Sequence, residues 1–315
     1  MVTATVRIRA REHIEALCHT ATDGTVLRVA LLGEIRRAIG FDAHVWVMTD
    51  PVTCVGSTPL AQIPTVRDLP RAIRSKYLTS INRWTTLASA ASLGERREQS
   101  RLWTDVLSGY AIGDVTSSAY ADRFGCWAFL DLWRLESSGP FSTADCTFLE
   151  LTVLSQTVAS EEWLGTLLPP APGRSPIPAI AYNVAGQLLA HEQGVDDHRP
   201  SARAHLGEGF WVTARAARIS ENTIAVTLEE SSPTDRIDLY ARSFGLSARE
   251  TELLAHLASG RDTREIAGHM SVSVNTVQDH LKSVFTKTGA RSRTTLLGRA
   301  LGFTESTQQG VAGDR

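Results

Sequence analysis

Apolar residues along this chain change their period several times, and each change marks an element. Residues 26–39 place Val26, Val29, Ala30, Leu32, Gly33, Arg36 and Arg37 at near-helical spacing, which predicts an amphipathic helix. His44, Val45, Trp46, Val47 and Met48 then read as a short apolar strand, closed by the turn pair Asp50 and Pro51. Residues 69–87 and 95–106 look helical. Residues 124–133, with Phe124, Trp127, Phe129, Leu130, Leu132 and Trp133, read as a buried central strand. A long helix is expected after Phe141, with Ser142 and Asp145 in its first turn, reaching to residue 160. Helix, strand, helices, strand and helix describe an α+β layer.

Prolines at 169, 170, 172, 176 and 178 mark a linker. After it, residues 210–219 and 223–228 alternate as two strands around a turn at 220–222, which predicts a hairpin. In the last segment the caps alone draw four helices. Ser247 with Glu250 and Asp262 with Glu265 are capping boxes, and Ser273 and Ser292 begin two more helices. Gly260, Gly289 and Gly302 sit at expected helix ends. The expected division is a first α+β unit at 11–163, a linker at 164–179 and a small α+β unit at 180–232. An all-α four-helix domain at 240–304 and a polar, disordered tail at 305–315 complete it.

Only Ser271 and Val272 separate the second and third of these helices, the tight connection of a helix-turn-helix. In the third, Val277, Leu281 and Val284 form an inward stripe with Phe285 beside them. The opposite side carries Asn275, Thr276, Gln278, Asp279, Lys282, Ser283, Thr286 and Lys287. Amides, hydroxyls and lysines suit a major groove, where side chains must bond base edges and neutralise phosphates. Gln278, Asp279 and Lys282 are the expected base contacts. Thr263, Arg264, Thr276, Lys287, Arg291 and Arg293 are the expected backbone contacts.

At these residues the sequence resembles a known family. Leu246, Ser247, Arg249, Glu250, Leu253, Leu254, Leu257 and Gly260 carry the first part of the likeness. Glu265, Ile266, Ala267, Val272, Ser273, Thr276, Val277, His280, Leu281, Lys287, Gly289, Arg291 and Arg293 carry the rest. Together they look like the LuxR-type helix-turn-helix of bacterial transcription regulators. The resemblance implies a DNA-binding module that pairs with itself through its last helix. Departures bear on base preference: Gln278 stands where the family often has Lys, and Gln bridges adenine N6 and N7 whereas Lys prefers guanine. Asp279 can accept from cytosine N4, or simply repel phosphate. Upstream, the stretches around Phe41 to Trp46, Asn82 to Trp84 and Asp122 to Trp133 resemble the GAF-like sensor half of actinobacterial members. The hairpin around Trp211 is similar to the end of a PAS-like domain.

Composition adds direction to this picture. The net charge is −2, yet residues 240–304 carry +4 and the rest −6, as a basic DNA-facing module on an acidic body would. No stretch reaches the roughly 18 apolar residues of a membrane span, and residues 1–11 lack a signal core. A cytoplasmic protein is the expectation. Cys18, Cys54, Cys126 and Cys146 lie far apart and read as reduced core thiols, with haem or redox sensing the alternative. His191, His198 and His205, with Glu192, Asp196 and Asp197, lack the spacing of a metal site. Asp50 invites comparison with a phosphoacceptor but has no acidic pair. Trp46, Trp84, Trp127 and Trp133 are candidates to line a ligand pocket, against the plainer reading that they fill the core.

No catalytic motif is visible, and no cofactor or metal is expected. The expected activity is that of a sequence-specific DNA-binding transcription regulator, a homodimer on double-stranded DNA, with RNA polymerase and a small-molecule effector as further partners. The alternative keeps the DNA reader and makes the front half a scaffold for dimerisation or protein contacts, without a ligand.

Overall fold

The computed structural model describes residues 4–20, 24–64, 66–157, 177–207 and 210–302. The first unit contains α1 (Ala4–Thr20), α2 (Gly24–Ile39), β1 (Ala43–Thr49), β2 (Gly56–Gln62) and α3 (Leu69–Leu78). It continues through β3 (Ala91–Ser92), α4 (Arg101–Asp105), β4 (Ile112–Asp122), β5 (Gly125–Leu135) and α5 (Thr143–Thr157). All pairings in its sheet are antiparallel, in the order β2-β1-β5-β4-β3. The alternation of a strand sends Trp46, Met48, Leu130 and Leu132 to one face, against Ile14, Leu31, Ile35 and Phe148 of α1, α2 and α5. Val45, Val47, Phe129 and Trp133 go to the other face, against Ile73, Tyr77 and Leu102 of α3 and α4. With both faces covered, β1 is buried along its whole length, which is why it reads as a nearly continuous apolar run.

Several expectations hold here, and several need correction. β1, the central strand β5 and helix α5 lie where the pattern put them; the expected end of α5 at 160 is outside the described residues. Helix α2 forms, but its buried face is Leu27, Leu31, Leu32, Ile35 and Ile39, while Val26 and Val29 face solvent. The helix expected over 69–87 stops at Leu78, because Thr79 turns extended and its hydroxyl accepts from the amides of Ile81 and Arg101. The helix expected over 95–106 is a 3₁₀ turn (Gly94–Gln99) and α4, broken at an extended Ser100. Helix α1 and strands β2 and β4 were not expected. β4 contains Gly113, Asp114, Thr116, Ser117 and Ser118, so its apolar signal is weak although it is buried.

The proline-rich linker falls mostly outside the described residues. After it come α6 (Ile177–Glu192), β6 (Ser201–Gly207) and the expected hairpin, β7 (Phe210–Ser220) and β8 (Thr223–Glu230), in an antiparallel sheet ordered β6-β7-β8. Ile180, Val184 and Leu188 of α6 cover Ala202, Val212 and Ala214, and Val55 of the first unit joins this core. The Tyr77 hydroxyl donates to Asn183 Oδ1 (3.0 Å) and accepts from the Gly56 amide (3.0 Å), tying α6 to the first unit. A Cβ at Gly56 would lie 2.8 Å from Asn183 Oδ1 and 2.3 Å from Val47, so only glycine permits this approach.

The last segment contains α7 (Pro233–Ser243), α8 (Ala248–Ala258), α9 (Thr263–Met270), α10 (Val274–Thr288) and α11 (Arg293–Leu301). Leu253, Leu254, Ile266, Val277, Leu281, Val284 and Leu296 form its core, and Ile237 and Tyr240 of α7 complete it. Helix α7 was missed, although Ser232 caps it and Pro233 opens it, a recognisable start signal. Among the described residues no helix is long and apolar enough to cross a membrane.

Candidate nucleic-acid interface

The recognition surface begins with local bonds that fix three helices. Ser247 Oγ accepts from the Glu250 amide (3.3 Å) and Glu250 Oε2 accepts from the Ser247 amide (2.6 Å), the reciprocal box expected at α8. Asp262 Oδ1 accepts from the amides of Arg264 (2.8 Å) and Glu265 (2.9 Å), and Glu265 returns a bond to Asp262. Ser273 Oγ accepts from the Thr276 amide (3.1 Å), starting α10. Between α9 and α10, Ser271 adopts φ 55°, a left-handed conformation in which a non-glycine residue costs about 1 kcal/mol. That turn sets the angle between the two helices. Gly289 and Gly302 end α10 and α11 in the same left-handed region.

With its start and end fixed, α10 buries Val277, Leu281 and Val284, with Phe285 packed partly beside them. Gln278, Asp279 and Lys282 lie on the exposed side, together with Asn275 and Thr286. The Lys282 ammonium is 3.2 Å from Asp279 Oδ1, and both side chains are largely in water, so this pair is weak and can open to admit a base edge.

The six expected backbone-contact residues divide into two groups. Arg264 and Arg291 are exposed, and the Thr276 hydroxyl shares a hydrogen bond with Ser273 (2.9 Å). Arg293 donates to Thr263 Oγ1 (2.6 Å), which brings the start of α11 beside the start of α9. Lys287 instead bonds Glu250 Oε2 (2.7 Å), and Ser283 donates to Oε1 of the same carboxylate (2.6 Å). Burial works against the charge on Glu250, but the bonds from Lys287, Ser283 and the Ser247 amide outweigh it and hold the carboxyl at about 2. Lys287 therefore clips α10 to α8.

Of the tryptophans proposed for one pocket, Trp84 and Trp133 share one face of the sheet and Trp46 lies on the other. Trp46 stacks on Tyr120 on the α1 and α2 side of the sheet. Trp84 and Trp133 are on the α3 side, where Trp84 stacks on Phe129 and donates to Asp131 Oδ1 (2.9 Å). Lys76 lies 3.3 Å from the same Asp131 oxygen, buried beneath Trp84. Trp127 donates to Asp122 (3.1 Å) near the β4–β5 turn.

Sequence reasoning also missed the junction between the body and the module. Asp50 is buried and takes the Arg203 side chain on both oxygens (2.7 and 3.0 Å), so it is no exposed phosphoacceptor. Arg203 also donates to Asp238 Oδ2 (2.8 Å) and to the Asp235 carbonyl (3.1 Å) of α7. From the same helix, Arg242 donates to Asp238 (3.0 Å) and to the Phe124 carbonyl (2.8 Å) in the β4–β5 turn. Burial opposes the charge of Asp238, yet Arg242 and Arg203 lower its pKa. No local signal announces partners so far apart along the chain.

Comparison with known proteins agrees with the geometry of the last segment. Residues 245–300 match the model of the family described as bacterial regulatory proteins, luxR family. The chain is 37% identical over 99 residues to the probable HTH-type transcriptional regulator GfsR of Streptomyces halstedii, covering 31% of this chain and 41% of that protein. It is 48% identical over 48 residues to the probable transcriptional regulatory protein SgaR of Hyphomicrobium methylovorum, covering 15% of this chain and 23% of that one. The matched stretches thus span less than half the length of either relative. Among solved structures, SdiA in complex with octanoyl-rac-glycerol aligns over 96% of both chains with a TM-score of 0.38 and 13% identity. Escherichia coli SdiA aligns over 93% of this chain and 95% of its own, with a TM-score of 0.36 and 12% identity. The C-terminal module of this chain is a luxR-family helix-turn-helix domain.

Proposed function

We propose that the chain is a sequence-specific DNA-binding transcription regulator that acts as a homodimer, each copy placing α10 in the major groove. The observation that carries this reading is the division of α10: Val277, Leu281 and Val284 inward, Gln278, Asp279 and Lys282 outward. Gln278 and Lys282 reach base edges, with Asp279 accepting from cytosine or steering against other bases. Arg264, Arg291, Arg293, Thr263 and Thr276 hold phosphates, and Lys287 contributes positive charge from its place on Glu250. Two helices related by a dyad read half-sites about one turn of DNA apart.

The front body sets how often the module is free to bind. Its five-stranded sheet with helices on both faces is compatible with a GAF-like sensor, and the smaller sheet with α6 with a PAS-like one. The link from Asp50 through Arg203 to Asp238 supports this reading, because α7 is shared between the body and the module core. A small molecule or protein signal shifts that equilibrium only by binding the two arrangements with different affinities.

Selection of bound sequences from a random duplex pool, with the full chain and with residues 231–315, tests the proposal. Both proteins should enrich the same partly palindromic site, with binding that weakens steeply as salt rises. Recovery of no shared sequence from either protein sinks the reading.

A further inference from the structure

Where the two sheets adjoin, four side chains from distant parts of the chain meet. Cys54 is in the 51–55 turn after β1, and its Sγ lies 3.4 Å from His198 Nε2 in the loop after α6. The other ring nitrogen, His198 Nδ1, is 2.6 Å from Asp196 Oδ1, and Asp196 is held in turn by the Thr85 hydroxyl and the His198 amide. Cys126, at the start of β5, adjoins the same turn: its amide donates to the Pro51 carbonyl (3.0 Å), and its thiol favours the charged form of Cys54. Cys54 has φ 58°, a left-handed backbone that is unusual for a non-glycine residue and recurs at functional positions. Cys54 is buried, but Cys126 is half-buried and the His198 side chain is 33% exposed, so the cluster opens to solvent on their side.

A nucleophile, a base and a group that orients the base are therefore within bonding reach, with a second cysteine on the strand that adjoins the turn. The charges agree with the geometry. The Cys126 thiol, then the His198 imidazole, stabilise a thiolate on Cys54 against the cost of burial and bring its pKa down to about 6. Asp196, then Cys54, raises His198 to about 10. Both shifts favour a thiolate facing an imidazolium.

We propose that Cys54 and Cys126 are a peroxide-reactive thiol pair, with Cys54 the attacking sulfur, His198 its proton partner positioned by Asp196, and Cys126 the resolving sulfur. The Cys54 thiolate attacks one oxygen of a hydroperoxide. An S–O bond forms, the O–O bond breaks, and the departing oxygen takes the proton from the His198 imidazolium; for hydrogen peroxide it leaves as water. Cys54 is oxidised by two electrons to a sulfenic acid, and the peroxide is reduced. Cys126 then gives its proton to the neutral His198 and attacks Cys54 sulfur. The S–S bond forms, the S–O bond breaks, and hydroxide leaves with that proton as water. Two thiols and one hydrogen peroxide thus become one disulfide and two waters.

The test uses the full chain and hydrogen peroxide. Free thiols should fall from the four of the sequence to two, and peptide mapping should find Cys54 joined to Cys126. In Cys126→Ser, dimedone should trap a sulfenic acid at Cys54. The pH profile of Cys54 alkylation by iodoacetamide should have its midpoint near 6 in the wild type. In His198→Gln the midpoint should rise toward the ~8.5 of a free thiol, and oxidation at pH 7 should slow roughly two- to tenfold. Should His198→Gln not fold, the wild-type profile decides alone, since a midpoint near the free-thiol value overturns the proposal. So does peroxide that leaves Cys54 and Cys126 reduced in the folded protein.

Discussion

The front body and the C-terminal module are held together by bonds of different reach. In the module, the side-chain bonds that cap α8 to α11 link residues two or three positions apart. In the body, the bonds that fix the layers join residues far apart along the chain: Asp50 to Arg203 spans 153 positions, Tyr77 to Asn183 spans 106, and Thr49 to the Cys126 carbonyl spans 77. Local closure costs little chain entropy, whereas long-range closure must be repaid by buried contacts. The difference suggests a reader that keeps its shape alone and a body whose parts depend on one another.

The largest effect should come from placing a charge in the module core. Val277→Asp puts a carboxylate at a fully buried position with no partner. The module's helical signal should lose its cooperative melting. All seven tryptophans lie upstream of residue 240, so their fluorescence reports on the body and should keep its transition. A normal melting curve for the module would contradict the inward phase of α10.

Arg203→Ala should do the reverse. It leaves Asp50 buried without its cation and releases Asp238, a loss of about 3–5 kcal/mol for a buried pair broken on one side. The tryptophan transition should move to lower denaturant while the module's own transition stays in place. Equal movement of both would mean that the two regions fold as one unit.

The same contrast explains what the sequence made legible. Ser247, Asp262, Ser273, Ser292 and three glycines announced every boundary of α8 to α11 except the end of α9 at Ser271, because each acts on a backbone group a few residues away. The outward side of α10 followed from Val277, Leu281 and Val284. The body was harder to read. Its strand β4 is buried yet rich in Ser, Thr and Gly, and nothing local reports its burial. Val26 and Val29 mark the helical spacing of α2 but are exposed, because Leu27, Leu31, Leu32, Ile35 and Ile39 take its buried face. Nothing in the sequence names the partners of Asp50, Arg203 or Cys54, since only the tertiary fold brings them near.

A third prediction asks how far the module's stability is local. Glu250 is ordinarily half-protonated near 4.5 and is held at about 2 in the fold. A depressed carboxyl stabilises the native state above its unfolded pKa and ceases to do so as pH falls through the folded one. The contribution should therefore be complete above about pH 5, worth about 2–3 kcal/mol, and fade between there and pH 2. Glu250→Gln should flatten that portion of the module's stability curve and loosen Lys287. A curve unchanged by the substitution would remove the α8–α10 clip from the account.

Lys282→Ala should have the smallest effect on folding and the sharpest on reading. The side chain is 78% exposed and its partner Asp279 is 73% exposed, so removing it should leave the melting curve within about 0.5 kcal/mol. On DNA it should cost about 1–3 kcal/mol at particular base pairs if Lys282 bonds a base edge, and preference there should relax. A uniform loss across all sequences, with a salt slope reduced by about one, would place Lys282 on a phosphate instead. The two outcomes separate base reading from backbone positioning at one residue. Because the fold is indifferent to the change, neither outcome can be mistaken for damage to the module.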